Sequence, residues 1–328
     1  MKNDVSMKGI YNRVVFGAAT FLFVASGIVG AQAEQTYNQI KNEHPDWVQI
    51  PGELIRPDCV HEVPNGAQIE TDDAGQITGD VTLNGEFIAH YDPCSEDPIV
   101  TRPQGRTEGL ANTPGTGNGW VEASQWEVSL GSSDNIDYLS GLWVVPSAPS
   151  VNGALIYLFN GIGPTDGNAI LQPVLQYGVG RAGGGNYWAI ASWLVGPGKF
   201  VFHSPLEKVH TGDLLFGYTK QTGISGSILD WTVSAKDDTT GAFSLITTHT
   251  SGLHWIWAFA GVLEAYNVTS CSEFPASDDV QFAFTNVDRG FPAYNPITPQ
   301  NFFAAYYNYG GPSCGFNVTP GDPSTLKF

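Results

Sequence analysis

Glu264 stands in an apolar stretch, between Leu263 and Ala265. An ionisable side chain in such a strand is paired, exposed or put to chemical use, because burying a lone carboxylate is costly. Burial would lift its pKa above the usual value of about 4.3 and leave an acid or base suited to acidic water. The plain alternative is that a half-buried strand alternates its faces and sets Glu264 on the wet side. Cys59, Cys94, Cys271 and Cys314 carry a second chemistry. They show no Cys-x-x-Cys spacing, no His-x-x-x-His accompanies them, and His61 and His90 are too scattered to help, so neither a metal site nor a cofactor is expected. An even cysteine count in an exported chain favours two disulfides. Three pairings can be drawn, of which Cys59–Cys94 with Cys271–Cys314 is the simplest, since each joins cysteines of one segment. Ser, His and Asp are all present without a Gly-x-Ser-x-Gly elbow, which argues against a serine hydrolase. Gly161-Ile162-Gly163 reads as a turn, because no Lys-Ser/Thr pair and no helix follow it.

The elements that would position such residues are strands. Apolar runs of strand length separated by Gly, Pro, Asn and Asp occur at 136–145, 154–160, 169–177, 187–194, 199–202, 214–219, 229–236, 243–248, 255–267 and 280–286. None carries a sustained 3.6-residue period with caps, so helix is a minor component. Ten short strands in this span predict an antiparallel β-sandwich. Composition agrees: 39 Gly, 21 Pro and 12% aromatics in 328 residues suit strands and tight turns rather than helical bundles. Lys plus Arg number 14 against 32 Asp plus Glu, a net charge of −18 that would repel a polyanion, so no nucleic acid is expected as a partner.

The N-terminus reads as an address. Lys2, Lys8 and Arg13 precede an uncharged run from Val14 to Ala31, and Ala31-Gln32-Ala33 offers a small-x-small cleavage pattern. Residues 1–33 are therefore expected to be a signal peptide, leaving a secreted or periplasmic protein with no membrane association after cleavage. An uncleaved anchor is the alternative, since eighteen apolar residues just span a bilayer. Residues 34–115 form a separate acidic segment, either a small accessory domain or a prosegment. Within it a hairpin is expected over Ile69–Ala89, with Asp73-Ala74-Gly75 and Asn84-Gly85 as turn residues. The stretch from Arg102 to Gly119 has little to bury and reads as a linker. Residues 116–328 would be the sandwich.

Taken in order, the sandwich region shows Trp143-Val144-Val145-Pro146, Gly161-Ile162, Ala169-Ile170-Leu171-Gln172, Tyr187-Trp188 with Trp193, Thr211-Gly212-Asp213, Gly261-Val262-Leu263-Glu264, and Phe274-Pro275 before Val280 to Asn286. In that order and spacing, over about residues 140–290, it resembles the eqolisins, the glutamic peptidases. The resemblance implies two bent antiparallel sheets, a concanavalin-like jelly roll, in a secreted acid endopeptidase acting on polypeptides. It also implies a catalytic pair, Gln172 and Glu264. Glu264 would activate water against a peptide carbonyl and return the proton to the leaving amine. Gln172, whose amide both donates and accepts, would position that water and stabilise the oxyanion.

Gln176 competes with Gln172, because residues four apart on a regular strand share a face, although Pro173 suggests an edge or a bulge that would break the register. Phe159, Gln176, Tyr187 and Trp193 are the candidate substrate-binding residues. Core packing is the other reading for Trp143, Trp188, Trp193, Trp255 and Trp257. The chain departs from the family in having Phe159 where a Trp precedes Gly-Ile, only Asp166 as an acid near that loop, and Ala258-Phe259-Ala260 in place of Ala-Glu-Trp. Its acidic N-terminal segment is also unlike the family's basic prosegments. A monomer is expected. The rival reading is a noncatalytic carbohydrate-binding or glucanase-like sandwich; its enzymatic form lacks a second carboxylate patterned around Glu264.

Overall fold

The computed structural model describes residues 37–95, 99–100, 117–128, 134–165, 167, 169–196, 199–293, 295–297, 301–307 and 309–328. Residues 1–33, expected to be a signal peptide, most of the expected linker and Asp166 lie outside the described residues. The described residues begin with a short helix α1 (Tyr37–Glu43) and a hairpin of β1 (Val48–Ile50) and β2 (Glu53–Ile55). There follow β3 (Val60–Glu62), β4 (Ala67–Thr71), β5 (Ile77–Leu83), β6 (Glu86–His90) and β7 (Ile99–Val100). The central strands are β8 (Gly117–Glu127), β9 (Ile136–Val144), β10 (Leu155–Pro164), β11 (Ile170–Gly180), β12 (Gly183–Val195), β13 (Val201–His203) and β14 (Glu207–Lys208). Then come β15 (Leu214–Ser225), β16 (Ile228–Asp237), β17 (Phe243–Ser251), β18 (Trp255–Val268) and β19 (Asp279–Arg289). Four short strands finish the chain: β20 (Asn295–Ile297), β21 (Phe303–Tyr306), β22 (Asn317–Thr319) and β23 (Ser324–Lys327).

All ten expected sandwich strands form. They divide between a nine-stranded sheet, ordered β21-β8-β18-β10-β11-β12-β13-β3 with β14 on β12, and an eleven-stranded sheet, ordered β22-β23-β19-β9-β15-β16-β17-β4-β5-β6 with β20 on β19. The protein is thus an all-β sandwich. The two apolar cores lie between these sheets. One gathers Leu171, Leu194, Trp231, Val233, Ile246 and Trp255; the other gathers Trp143, Leu158, Leu175, Trp188, Leu263 and Phe282. Asn160 ties the layers together, its Nδ2 donating to Gly217 O at 3.1 Å.

Segment 34–115 contributes to both sheets. β3 pairs in parallel with β13, and β4 in parallel with β17, so the N-terminal strands extend each sheet at an edge. The Asn84-Gly85 turn joins β5 to β6 as expected, with φ of 53° and 80°, the left-handed pair that a tight hairpin demands. Both disulfides form, Cys59–Cys94 and Cys271–Cys314, each with Cα atoms 5.3 Å apart. The sequence reading missed β8, whose first residues fell in the expected linker, and it missed β1 to β3. β8 is buried through most of its length yet begins among Gly and Asn, and the small strands have no run long enough to show a period.

Candidate active site

The outer face of the nine-stranded sheet, turned away from the sandwich interior, carries the site. On β18 the alternation sends Leu263 and Ala265 inward and leaves Val262, Glu264 and Tyr266 outward. On β11 the same alternation turns Leu171 and Leu175 inward and Ile170, Gln172, Val174 and Gln176 outward. β10 lies between these strands and adds Leu155, Tyr157 and Phe159. The expectation of an edge or bulge at Pro173 is corrected. β11 is interior to its sheet, and its register with β12 runs unbroken from Ile170 to Tyr177, so Gln172 and Gln176 do share a face. The register that pairs Phe159 with Val174 and Ile162 with Leu171 sets Gly161 opposite Gln172.

This outer face is covered by the chain's own N-terminal segment. Val48, Ile50 and Ile55 of the β1–β2 hairpin pack with Cys59, Trp120, Tyr157, Phe159, Trp193 and Tyr266. Glu264 is fully buried beneath it, as are Gln172, Phe159 and Trp193. The solvent-facing alternative for Glu264 is therefore overturned: its side of the strand is roofed by Pro51 and Gly52, which are themselves buried.

The hairpin tip meets both predicted residues. Pro51 and Gly52 are the two central residues of the turn between Ile50 and Glu53, and Gly52 has φ +93°. Pro followed by a left-handed Gly is the arrangement of a type II turn, in which the central peptide group has no partner within the turn. Its two polar atoms find partners on the sheet. Gln172 Nε2 donates to Pro51 O at 2.9 Å, and Gly52 N donates to Glu264 Oε1 and Oε2 at 3.0 and 2.9 Å. A single peptide unit is thus gripped at its carbonyl by Gln172 and at its N–H by Glu264.

Around this pair the surroundings are aromatic and buried. The Tyr266 hydroxyl donates to Glu264 Oε1. Tyr157 lies opposite Glu264 in the strand register, and burial, with the carboxylate's charge added to it, holds its phenol well above the usual value. Burial pushes Glu264 up to about 8, against the opposing hydrogen bonds from Tyr266 and Gly52. His203 stacks on Trp193 with ring centroids 4.6 Å apart, and burial lowers its pKa to about 4. Trp120 Nε1, Tyr157 OH, Gln172 Oε1, Gln176 Oε1 and Trp193 Nε1 are buried with no hydrogen-bond partner among the described residues.

No protein-family model matches the chain, and no curated protein does. Similar solved structures include scytalido-glutamic peptidase with a peptide-based transition state analog, at 14% identity and TM-score 0.46, covering 65% of this chain and all of that one. They also include SCP-B, a member of the eqolisin family of peptidases, in complex with the tripeptide Ala-Ile-His, at 15% identity and TM-score 0.42, covering 65% of this chain and 98% of that one. Tailspike protein 2 from an Escherichia coli O157:H7 bacteriophage aligns at 17% identity and TM-score 0.27, with 30% of its length covered.

Of the other residues expected at the site, Phe159, Gln176 and Trp193 lie on this same outer face. Gln176 shares the face, but its Nε2 donates to Gly178 O and Gly183 O at 3.0 and 2.9 Å, closing the β11–β12 hairpin. Tyr187 is half-buried, with Lys208 Nζ 4.8 Å from its ring centre. Trp193 and Phe159 sit under the covering hairpin. Trp143, Trp188 and Trp255 belong to the cores between the sheets, as the packing reading held. Sequence reasoning missed Tyr157, Tyr266, Trp120 and the Pro51-Gly52 tip. Parity along β18 could have found Tyr266, two residues from Glu264; nothing local to residues 48–55 points to a target more than a hundred residues away.

Proposed function

We propose that the protein is a peptidase of the glutamic type, with Glu264 as general base and acid and Gln172 as the group that positions water and stabilises the oxyanion. The observation that carries this reading is the peptide unit held between the two side chains, carbonyl to amide and N–H to carboxylate. Side chains that grip a peptide group in that sense are arranged for a substrate peptide as well. Gln172 Nε2 would donate to the substrate carbonyl and gain strength as negative charge develops on its oxygen. Gln172 Oε1 has no partner among the described residues and would accept from a water molecule. Glu264 takes a proton from that water as its oxygen bonds to the carbonyl carbon, then delivers the proton to the amide nitrogen as the carbon–nitrogen bond breaks. Tyr266 orients the carboxylate by donating to Oε1.

Two disulfides agree with an exported protein, and an acidic surface would lose most of its charge in acid. The test is digestion of a denatured protein between pH 2 and pH 9, by the purified chain as it stands and after trimming of its N-terminal segment. Glu264→Gln and Gln172→Ala, folded to the same stability, are expected to lower kcat at least about 10²-fold. Cleavage that survives both substitutions would end this reading.

A further inference from the structure

The β1–β2 hairpin belongs to neither large sheet. It forms a separate three-stranded sheet with β7, and its strands are three residues long, pairing Val48 with Ile55 and Ile50 with Glu53. A ribbon so short is not stable by itself in water, so its conformation depends on what it packs against. One side, with Val48, Ile50 and Ile55, lies on the outer face of the nine-stranded sheet, while Leu54 packs on the other side with Ile40 and Trp47. Beyond the hairpin the chain is anchored where Cys59 is bonded to Cys94 and β3 pairs with β13, and before it Tyr37 packs on Tyr266 with ring centroids 5.4 Å apart. The hairpin can leave without breaking either sheet.

The fit beneath it is incomplete in a particular way. The tip satisfies Glu264 and the Gln172 amide, but five buried polar atoms around it, on Trp120, Tyr157, Gln172, Gln176 and Trp193, have no partner among the described residues. Buried polar groups are ordinarily paired. An apolar hairpin face offers them little, whereas an extended peptide would present N–H and C=O groups along its length. The tip also presents its peptide as a turn, and Gly52 N–H occupies both oxygens that a base must offer to water.

We propose that the hairpin Val48–Ile55 is a tethered peptide ligand that keeps the Gln172–Glu264 pair occupied, and that the face accepts an extended peptide in its place once the hairpin is lifted. This rests on the reading of the face as a peptide site, and binding separates it from the question of hydrolysis. Gly52 is the position to change: at φ +93° a β-branched residue is strained whatever the space around it. Ile50→Asp, which puts a charge at a fully buried seat, lifts the hairpin by a different route.

The experiment follows anisotropy of a labelled nonapeptide with the sequence of residues 47–55, and hydrogen exchange across 48–55, in the full-length wild type and in Gly52→Val and Ile50→Asp. Retention of both disulfides and of the near-ultraviolet circular dichroism serves as the fold control. Expected are exchange at least tenfold faster in the hairpin of either folded variant and peptide binding at least tenfold tighter than in the wild type. Equal binding by all three proteins would overturn the proposal. So would variants whose hairpin is released without a gain in binding, or whose hairpin exchange does not change. Hydrolysis is scored separately. Binding without cleavage by the released variants keeps the tethered ligand and removes the peptidase reading; cleavage by the wild type as fast as by the variants keeps the peptidase and removes the tether.

Discussion

Glu264 illustrates how one side chain's neighbours set its chemistry. Burial raises its pKa to about 8, while hydrogen bonds from Tyr266 and Gly52 pull in the other direction. A carboxylate that must be ionised to act as a base gives an activity that rises with pH through its own pKa. Tyr266→Phe removes a donor that favours the charged form, so the rising limb of the pH–rate profile is expected to move to higher pH with little loss of folded stability. A profile unchanged by that substitution would show that the hydroxyl does not orient the carboxylate. Lifting the hairpin rehydrates Glu264 and should move the same limb to lower pH, because desolvation is the largest cause of the rise.

Among the elements, the approach of β10 to β11 decides whether Gln172 reaches its position. Gly161 faces it across that pair, and a Cβ there would come within 2.8 Å of Leu171 O and 3.0 Å of Gln172 Cβ. Backbone cannot yield as a flexible side chain does. Gly161→Ala is therefore expected to push β11 outward, costing about 1–3 kcal/mol of stability and moving Gln172 off the carbonyl position. In the released protein this should appear as a fall in kcat larger than any change in KM. A variant with full kcat would show that Gln172 tolerates the shift. The bulges of β18 against β8 and β10 near residues 259–261 fall at the same level of the sheet, where local twist re-aims side chains.

Over the whole molecule, buried ionisable groups set the pH dependence of stability. Burial pushes Glu122 up to about 9, Glu264 to about 8 and Asp137 to about 6. The folded state keeps protons that the unfolded chain gives up above about pH 4.5. These groups therefore cost stability as pH rises from there, in full above each raised value. His203 works the other way, since the unfolded chain takes up a proton between about 6.5 and 4 that the folded chain refuses. With three carboxylates against this imidazole, unfolding midpoints are expected to be higher at pH 5 than at pH 8. Glu122→Gln should stabilise the protein by about 1–3 kcal/mol at pH 8 and by nothing measurable at pH 4. Urea titrations at the two pH values check both, and a midpoint that climbs with pH would contradict this account.

Local pattern sufficed for much of this molecule. Alternating or wholly apolar runs bounded by Gly, Pro and Asn announce strands where they are long, which is why ten of the sandwich strands were legible, as was the Asn84-Gly85 turn. Cysteines close in sequence pair most readily, so both disulfides were legible too. Glu264 was conspicuous because a carboxylate in an apolar run violates the pattern around it. The rest depended on distance along the chain. Whether Glu264 faced water, whether Pro173 broke its strand and whether Gln172 met Glu264 all turned on the order of strands in the sheet, which no local run encodes. The covering hairpin lay furthest from view: Val48–Ile55 is too short to show a period. Its role comes from contact with residues more than a hundred positions away, and only the packing of the whole chain brings one peptide group between two side chains.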